Sequence, residues 1–208
     1  MSRFMHRIFS LCCASVAAMS CPAEDLPRSV AIEAVWKPQI APFTYRSEGR
    51  RYSCDVLAYK IRLTLSRLGA NGHVDVRRIA CHDLATLAHF EVALESPIEA
   101  TMDNVRAVTT HDATSELIAR VQGTTLATPE NVQRFPATWR TVSFRHARRL
   151  DLDAGDCALV QQLRNQLLPK MSIRILRDIR GVDCSEELSG IRKPDLTVVA
   201  LVPTDELL

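Results

Sequence analysis

The sequence predicts an α+β protein built from two tandem β-α-β-β units. The units form an internal duplication, each carries one disulfide, and the two pack as a pseudo-two-fold pair. Three observations lead there. Rare residues recur at one offset: Trp36, Cys54 and Cys81 return as Trp139, Cys157 and Cys184, each 103 positions later. Each copy of this skeleton brackets a run of apolar residues at helical spacing, followed by a run at alternating spacing. A leader-like start implies export to a compartment where cysteines pair.

The first unit spans residues 24–98. Val30 to Trp36 reads as a strand, Pro38 and Pro42 interrupt it, and Phe43 to Arg46 forms a second extended piece. Ser47 to Arg51 is a turn. Ser53 then stands as a helix N-cap, with Asp55 in the first turn where the helix dipole favours an anion. Val56, Leu57, Ile61, Leu65 and Leu68 supply the buried face, while Lys60, Arg62 and Arg67 fall on other faces. Gly69 caps the helix and Asn71-Gly72 turns the chain. An alternating strand runs from Val74 to Cys81, and a further one, His89 to Leu94, closes at Pro97.

The second unit, residues 138–208, repeats this order. Trp139 to His146 alternates as a strand, and Asp156 is placed as the helix N-cap. Ala158, Val160, Leu163, Leu167 and Leu168 form the buried face, and Pro169 stops the helix. Ile173 to Cys184 and Leu196 to Val202 are the last two strands. The connector, residues 99–137, is too long for a structureless loop inside a packed protein, so it should carry its own element, a short helix over Ala113 to Val121.

Residues 1–23 have the build of a secretory signal peptide: Arg3, His6 and Arg7, an apolar run from Ile8 to Met19, then small residues. Cleavage fits after Ser20 or after Ala23. A lipid anchor at Cys21 is a lesser alternative, because Ala18 and Met19 poorly match the residues that usually precede such a cysteine. Removal of the leader takes away two arginines and no acids, so Lys+Arg falls from 26 to 24 against 24 Asp+Glu. A neutral mature chain implies no nucleic-acid partner, and no transmembrane segment is left after leader removal.

With Cys12, Cys13 and Cys21 in the leader, four cysteines remain, and four allow three connectivities. A helix of about fifteen residues is roughly 22 Å long, and a strand of about eight is roughly 26 Å. A helix feeding an antiparallel strand therefore returns the strand's end to the helix's start. That geometry, met twice, favours Cys54–Cys81 and Cys157–Cys184.

Other chemistry is thin. The sequence has no Cys-x-x-Cys, so Cys54 and Cys157 read as staples rather than redox centres. Cys81-His82-Asp83 and His111-Asp112 lack a further ligand at helix or strand spacing. Nucleophile elbows, zinc-protease helices and Gly-rich phosphate loops are missing, so no catalytic residue, cofactor or metal ligand is assigned. Arg140, Arg145, Arg148, Arg149, Arg174, Arg177 and Arg180 concentrate basic charge in the second unit. The favoured reading of that charge is a solvated face balanced by nearby aspartates; the alternative is a surface for anionic headgroups or an acidic partner.

At Tyr52-Ser53-Cys54-Asp55 and the following Lys60, Leu68, Gly69 and Ala70, the chain resembles a group of exported proteobacterial proteins of unknown function. The resemblance runs to Cys81, with weaker echoes after Trp139, and implies an envelope or secreted location without an activity. The expectation is a periplasmic or secreted, non-enzymatic binding or accessory protein with an envelope or secreted protein as partner. The alternatives are a periplasmic enzyme with a site assembled from the connector and His82, His111 or His146, and an inhibitor of a secreted enzyme. The oligomeric state is not specified by the sequence.

Overall fold

The computed structural model describes residues 30–47, 50–144, 150–178 and 196–204. Its longest element is a single strand, β1 (Ile32–Arg46), where the sequence suggested two pieces broken at Pro38 and Pro42. The prolines are tolerated because of where their missing N–H groups would point. Thr44 sends its N–H away from the neighbouring strand, to the side chain of Gln166. Backbone groups two residues apart on a strand point the same way, so Pro42 and Pro38 give up no ladder bond.

β1 leads to α1 (Cys54–Arg67), β2 (Asp75–Cys81) and β3 (Leu87–Glu99). The connector holds α2 (Met102–Thr109) and α3 (Ala113–Gln122), of which only α3 was predicted. Then come β4 (Arg134–Ser143), α4 (Cys157–Gln166), β5 (Ile173–Asp178) and β6 (Leu196–Pro203). β3 runs through Pro97 to Glu99, and β4 begins five residues before Trp139, running through Pro136. All pairings are antiparallel, in the order β2-β3-β1-β4-β6-β5. Each half therefore has the same internal order: the strand before the helix pairs with the last strand, and the last with the middle one.

The halves meet where β1 and β4 pair from Ile32↔Ala137 to Val35↔Arg134. Beyond that ladder the two strands run on in opposite directions. β3 and β6 nevertheless touch, so the sheet curls, and α1 and α4 lie inside the curl within one core. Leu57, Ile61 and Leu65 of α1 and Leu159, Val160 and Leu163 of α4 are all fully buried, each large side chain contributing about 1.5–3 kcal/mol. Val56, assigned to this face from its spacing, instead points outward, and Lys60, assigned to the surface, is buried. Position 60 lies one turn beyond Leu57, and an acid in the other half receives its charge.

Helix ends follow the local chemistry. The Ser53 hydroxyl accepts from the Val56 N–H at 3.3 Å. At the other end, Leu68 is the cap residue, Gly69 donates to Ser66 and Ala70 donates to Leu65, the paired bonds of a Schellman motif. Gly69 adopts φ +95°, and a Cβ there would run into the Leu201 carbonyl of β6. α4 ends at Gln166, ahead of a short 3₁₀ turn, Leu168–Lys170, that contains Pro169.

Cys54 and Cys81 are bridged, with Cα atoms 6.0 Å apart. Cys157 is disulfide-bonded as well; Cys184, the partner its spacing assigns, lies outside the described residues, as does the 1–23 leader with Cys21. No described helix is long and apolar enough to cross a membrane. The outer strands β2 and β5 each carry a one-residue irregularity, at Ile79 and Leu176, which twists an open edge away from further pairing.

Candidate binding surface

Two places gather chemistry-bearing side chains: a polar joint between the halves, buried at Tyr52, Lys60 and Asp156, and the exterior of the sheet with the connector beside it.

The joint is built where the two helices begin. Asp156, placed as the α4 N-cap, makes no capping bond from its side chain. It closes a short 3₁₀ turn, Ala154–Asp156, whose capping box it completes by accepting from the Asp153 N–H at 2.7 Å. The same carboxylate accepts from the Tyr52 hydroxyl and, at 2.9 Å, from Lys60 Nζ. Lys60 also donates to the Asp151 carbonyl at 2.7 Å. Arg50 grips the neighbouring Asp153 with both terminal guanidinium nitrogens and lies 4.9 Å over the Tyr52 ring. A Cβ on Gly155 would strike the Arg50 guanidinium, so the glycine leaves room for the grip.

Electrostatics here follow from burial. Burial, reinforced by the hydrogen bond to Asp156, pushes the Tyr52 phenol well above the ordinary tyrosine range. Burial also works to raise the Asp153 carboxyl, but the Arg50 bond and the Gly155 N–H outweigh it and hold the carboxyl below its usual range. A tyrosine, a lysine and an aspartate in contact have the parts for proton transfer. Asp156 is fully buried, however, and its oxygens are taken by three donors. The joint is an internal fastener rather than a place where a substrate reaches the groups.

The exterior is different. Ile32, Ala34, Phe135, Ala137, Trp139 and Leu201 form a small apolar cluster on the outer side of the β1–β4 seam. Trp36 stacks on Phe135 with ring centroids 4.4 Å apart, and the Arg174 guanidinium lies 4.4 Å from the Trp139 ring centroid. An open cleft of about 280 Å³ beside the seam is lined by Ala31, Ile32, Glu33, Arg134, Phe135 and Pro136. The two tryptophans chosen as repeat landmarks thus meet in one exterior strip.

From the same end of the sheet the connector departs. Ala100 donates to the Glu33 carbonyl, and α2 packs against β1. Thr101 caps α2 and Asp112 caps α3, accepting from the Asn104 and Ser115 N–H groups. The Ser115 bond holds the Asp112 carboxyl below its ordinary range. Gly123, at φ +65°, ends α3. Of the ten residues of α3 only Ala119 is buried; Leu117, Ile118 and Val121 are 58%, 49% and 79% exposed.

Among the described residues the histidines do not converge. His111 bonds the Ala127 carbonyl, His89 bonds Thr44, and His146 lies outside the described residues. Among the described residues no three His, Cys, Asp or Glu side chains group as metal ligands. Of the arginines, Arg174 and Arg177 pair with Val199 and Thr197 and share the outer side of the sheet. Arg140 pairs with core residue Ala200 and takes the opposite side. Arg145, Arg148, Arg149 and Arg180 lie outside the described residues.

Sequence reasoning missed α2 and the Lys60–Asp156 pairing. The α2 signal was present as Thr101 followed by Asp103, a cap and a first-turn acid, but only one apolar residue of that helix, Val105, is buried. Compared with family models, curated proteins and solved structures, the chain matches none.

Proposed function

We propose that this is an exported, disulfide-stapled binding protein of the bacterial envelope, non-enzymatic, built by duplication of one β-α-β-β unit about a pseudo-two-fold axis. The observation that carries the binding role is α3. It is fixed at both ends, by Asp112 and Gly123, yet turns Leu117, Ile118 and Val121 to solvent. A rigid amphipathic helix with its apolar side uncovered has the form that docks into a groove on another protein. Duplication is supported by the common strand order of the halves and by the recurrence of Trp, Cys and Cys at one offset. Export is supported by the leader's order of charges, apolar run and small residues, together with the Cys54–Cys81 bridge.

The test is crosslinking capture from intact cell envelopes with the native protein and a Leu117→Ser/Val121→Ser variant of equal thermal stability. The native protein should recover one reproducible protein partner, and the variant should lose it. Recovery of nothing by the native protein across several crosslinkers, or retention of the partner by the variant, rejects the proposal.

A further inference from the structure

We infer that the free edge of β4, from Trp139 to Ser143, takes an extended peptide segment of a partner protein as an added antiparallel strand, one that sets an acid opposite Arg140. The edge is separate from α3, so the inference goes beyond the role proposed for that helix and stands without it.

Backbone direction defines the edge. The Thr44 N–H points away from β3, and groups two apart on a strand point alike. Ile32 and Ala34 therefore face β4, and their partners Ala137 and Phe135 face β1. Continuing by twos, Trp139, Thr141 and Ser143 present their N–H and C=O groups on that same side, while Thr138, Arg140 and Val142 bond β6. The ladder with β1 ends at Ile32; Val30, which the same register would set against Trp139, is 81% exposed. Among the described residues no backbone pairs with Trp139, Thr141 or Ser143 on this side.

The other open edges of the sheet are guarded. β2 and β5 each break at an irregularity. The free side of β1 has Pro38 and Pro42, which carry no N–H, together with Gln166 on Thr44 and α4 packed alongside. At the offset of 103, the β4 counterparts of Pro38 and Ile40 are Thr141 and Ser143, which keep their N–H groups. Among the described residues α1 has no comparable packing against β4. An unguarded row of backbone donors and acceptors is the feature that strand addition uses.

Arg140 selects which strand. It lies mid-edge and exposed, on the opposite side of the sheet from Trp139, and among the described residues no acid pairs with it. An apolar residue opposite Arg140 would cover the guanidinium without pairing it, whereas an acid there gains a cross-strand ion pair. On the other side of the added strand, Trp139 offers an apolar neighbour to alternate residues.

Hydrogen exchange and peptide binding test this in the native exported chain. In the chain alone, the Trp139, Thr141 and Ser143 amides should exchange fast and the Thr138, Arg140 and Val142 amides slowly. A fluorescent peptide of about eight alternating Val and Glu residues should bind and protect the first three. Its Val-Lys counterpart should bind more weakly, as should a Val-Glu peptide N-methylated at its valines, which face β4. Thr141→Pro should weaken the Val-Glu peptide roughly tenfold or more while keeping a cooperative urea transition, because β1 carries Pro38 at the equivalent place. Arg140→Glu, a surface change, should turn the preference to Val-Lys. Leu117→Ser/Val121→Ser should leave peptide binding unchanged, which separates this edge from α3. Slow exchange at Trp139, Thr141 and Ser143 in the chain alone means that this chain or a second copy already fills the edge, and it overturns the inference. So does binding of neither peptide, equal binding of the N-methylated peptide, or an Arg140→Glu variant that keeps the native preference.

Discussion

Lys60 and Asp156 form an ion pair across the two halves at 2.9 Å, with 10% of the lysine side chain and none of the aspartate side chain exposed. A pair so deeply placed gains little over an apolar substitute, but either member alone is costly. Asp156→Leu and Lys60→Met should each lower stability by about 3–5 kcal/mol, whereas the double variant Lys60→Met/Asp156→Leu should lose clearly less than the two together. A double-mutant cycle by urea denaturation measures it, and additive losses would disprove the coupling.

Gln166 does the work of a neighbouring strand for Thr44. Its carboxamide oxygen accepts from the Thr44 N–H at 2.8 Å and its amide nitrogen donates to the Thr44 carbonyl at 2.8 Å. Gln166→Leu should cost about 1–3 kcal/mol, the net worth of two hydrogen bonds. Amide hydrogen exchange should accelerate at Thr44 while Phe43, on the β3 side of the ladder, stays protected. Unchanged exchange at Thr44 would refute the assignment.

The Cys54–Cys81 bridge closes a loop with a separation of 27. Its removal by Cys54→Ala/Cys81→Ala should cost roughly 3–4 kcal/mol on the chain-entropy estimate, read as a lowered urea midpoint. Thiol titration of the unfolded, unreduced exported protein should find no free cysteine among 54, 81, 157 and 184.

The Tyr52 phenol and the Asp153 carboxyl set opposite ends of the pH range. Tyr52 holds its proton more tightly in the folded chain, so its contribution is complete below the ordinary phenol pKa of about 10 and is lost as pH rises toward the folded value. Asp153 is depressed, so its smaller, partly exposed contribution is present above the ordinary aspartate pKa and fades as pH falls through the folded one. Stability should therefore decline above about pH 10, and Tyr52→Phe should flatten that decline. An equally steep alkaline limb in the variant would contradict it.

What the sequence made legible was whatever local chemistry decides. Ser53, Gly69 and the Leu57–Ile61–Leu65 stripe act within one helix, and their roles were readable from spacing alone. Cys54 and Cys81 were readable because helix rise and strand rise close the loop without help from elsewhere. Pro38 and Pro42 misled, because a proline's effect depends on which way its nitrogen faces, and that is set by the register of β1 on β3, a strand far along the chain. Lys60 and Asp156 were placed on a solvated side and at a cap for the same reason: each is explained only by the other. α3 was legible as a helix, but the exposure of its apolar side is a property of what surrounds it.

The packing of α4 against β1, and of the α1 terminus at Gly69 against Leu201, has a consequence for how the chain behaves as a whole. α4 of the second half packs on β1 of the first, so the first half's sheet is covered in part by the second half's helix. Cutting the chain in the connector would leave the first fragment without the helix that packs on β1. The halves share one core, Leu57, Ile61 and Leu65 of α1 with Leu159, Val160 and Leu163 of α4, and should therefore melt together as one cooperative body.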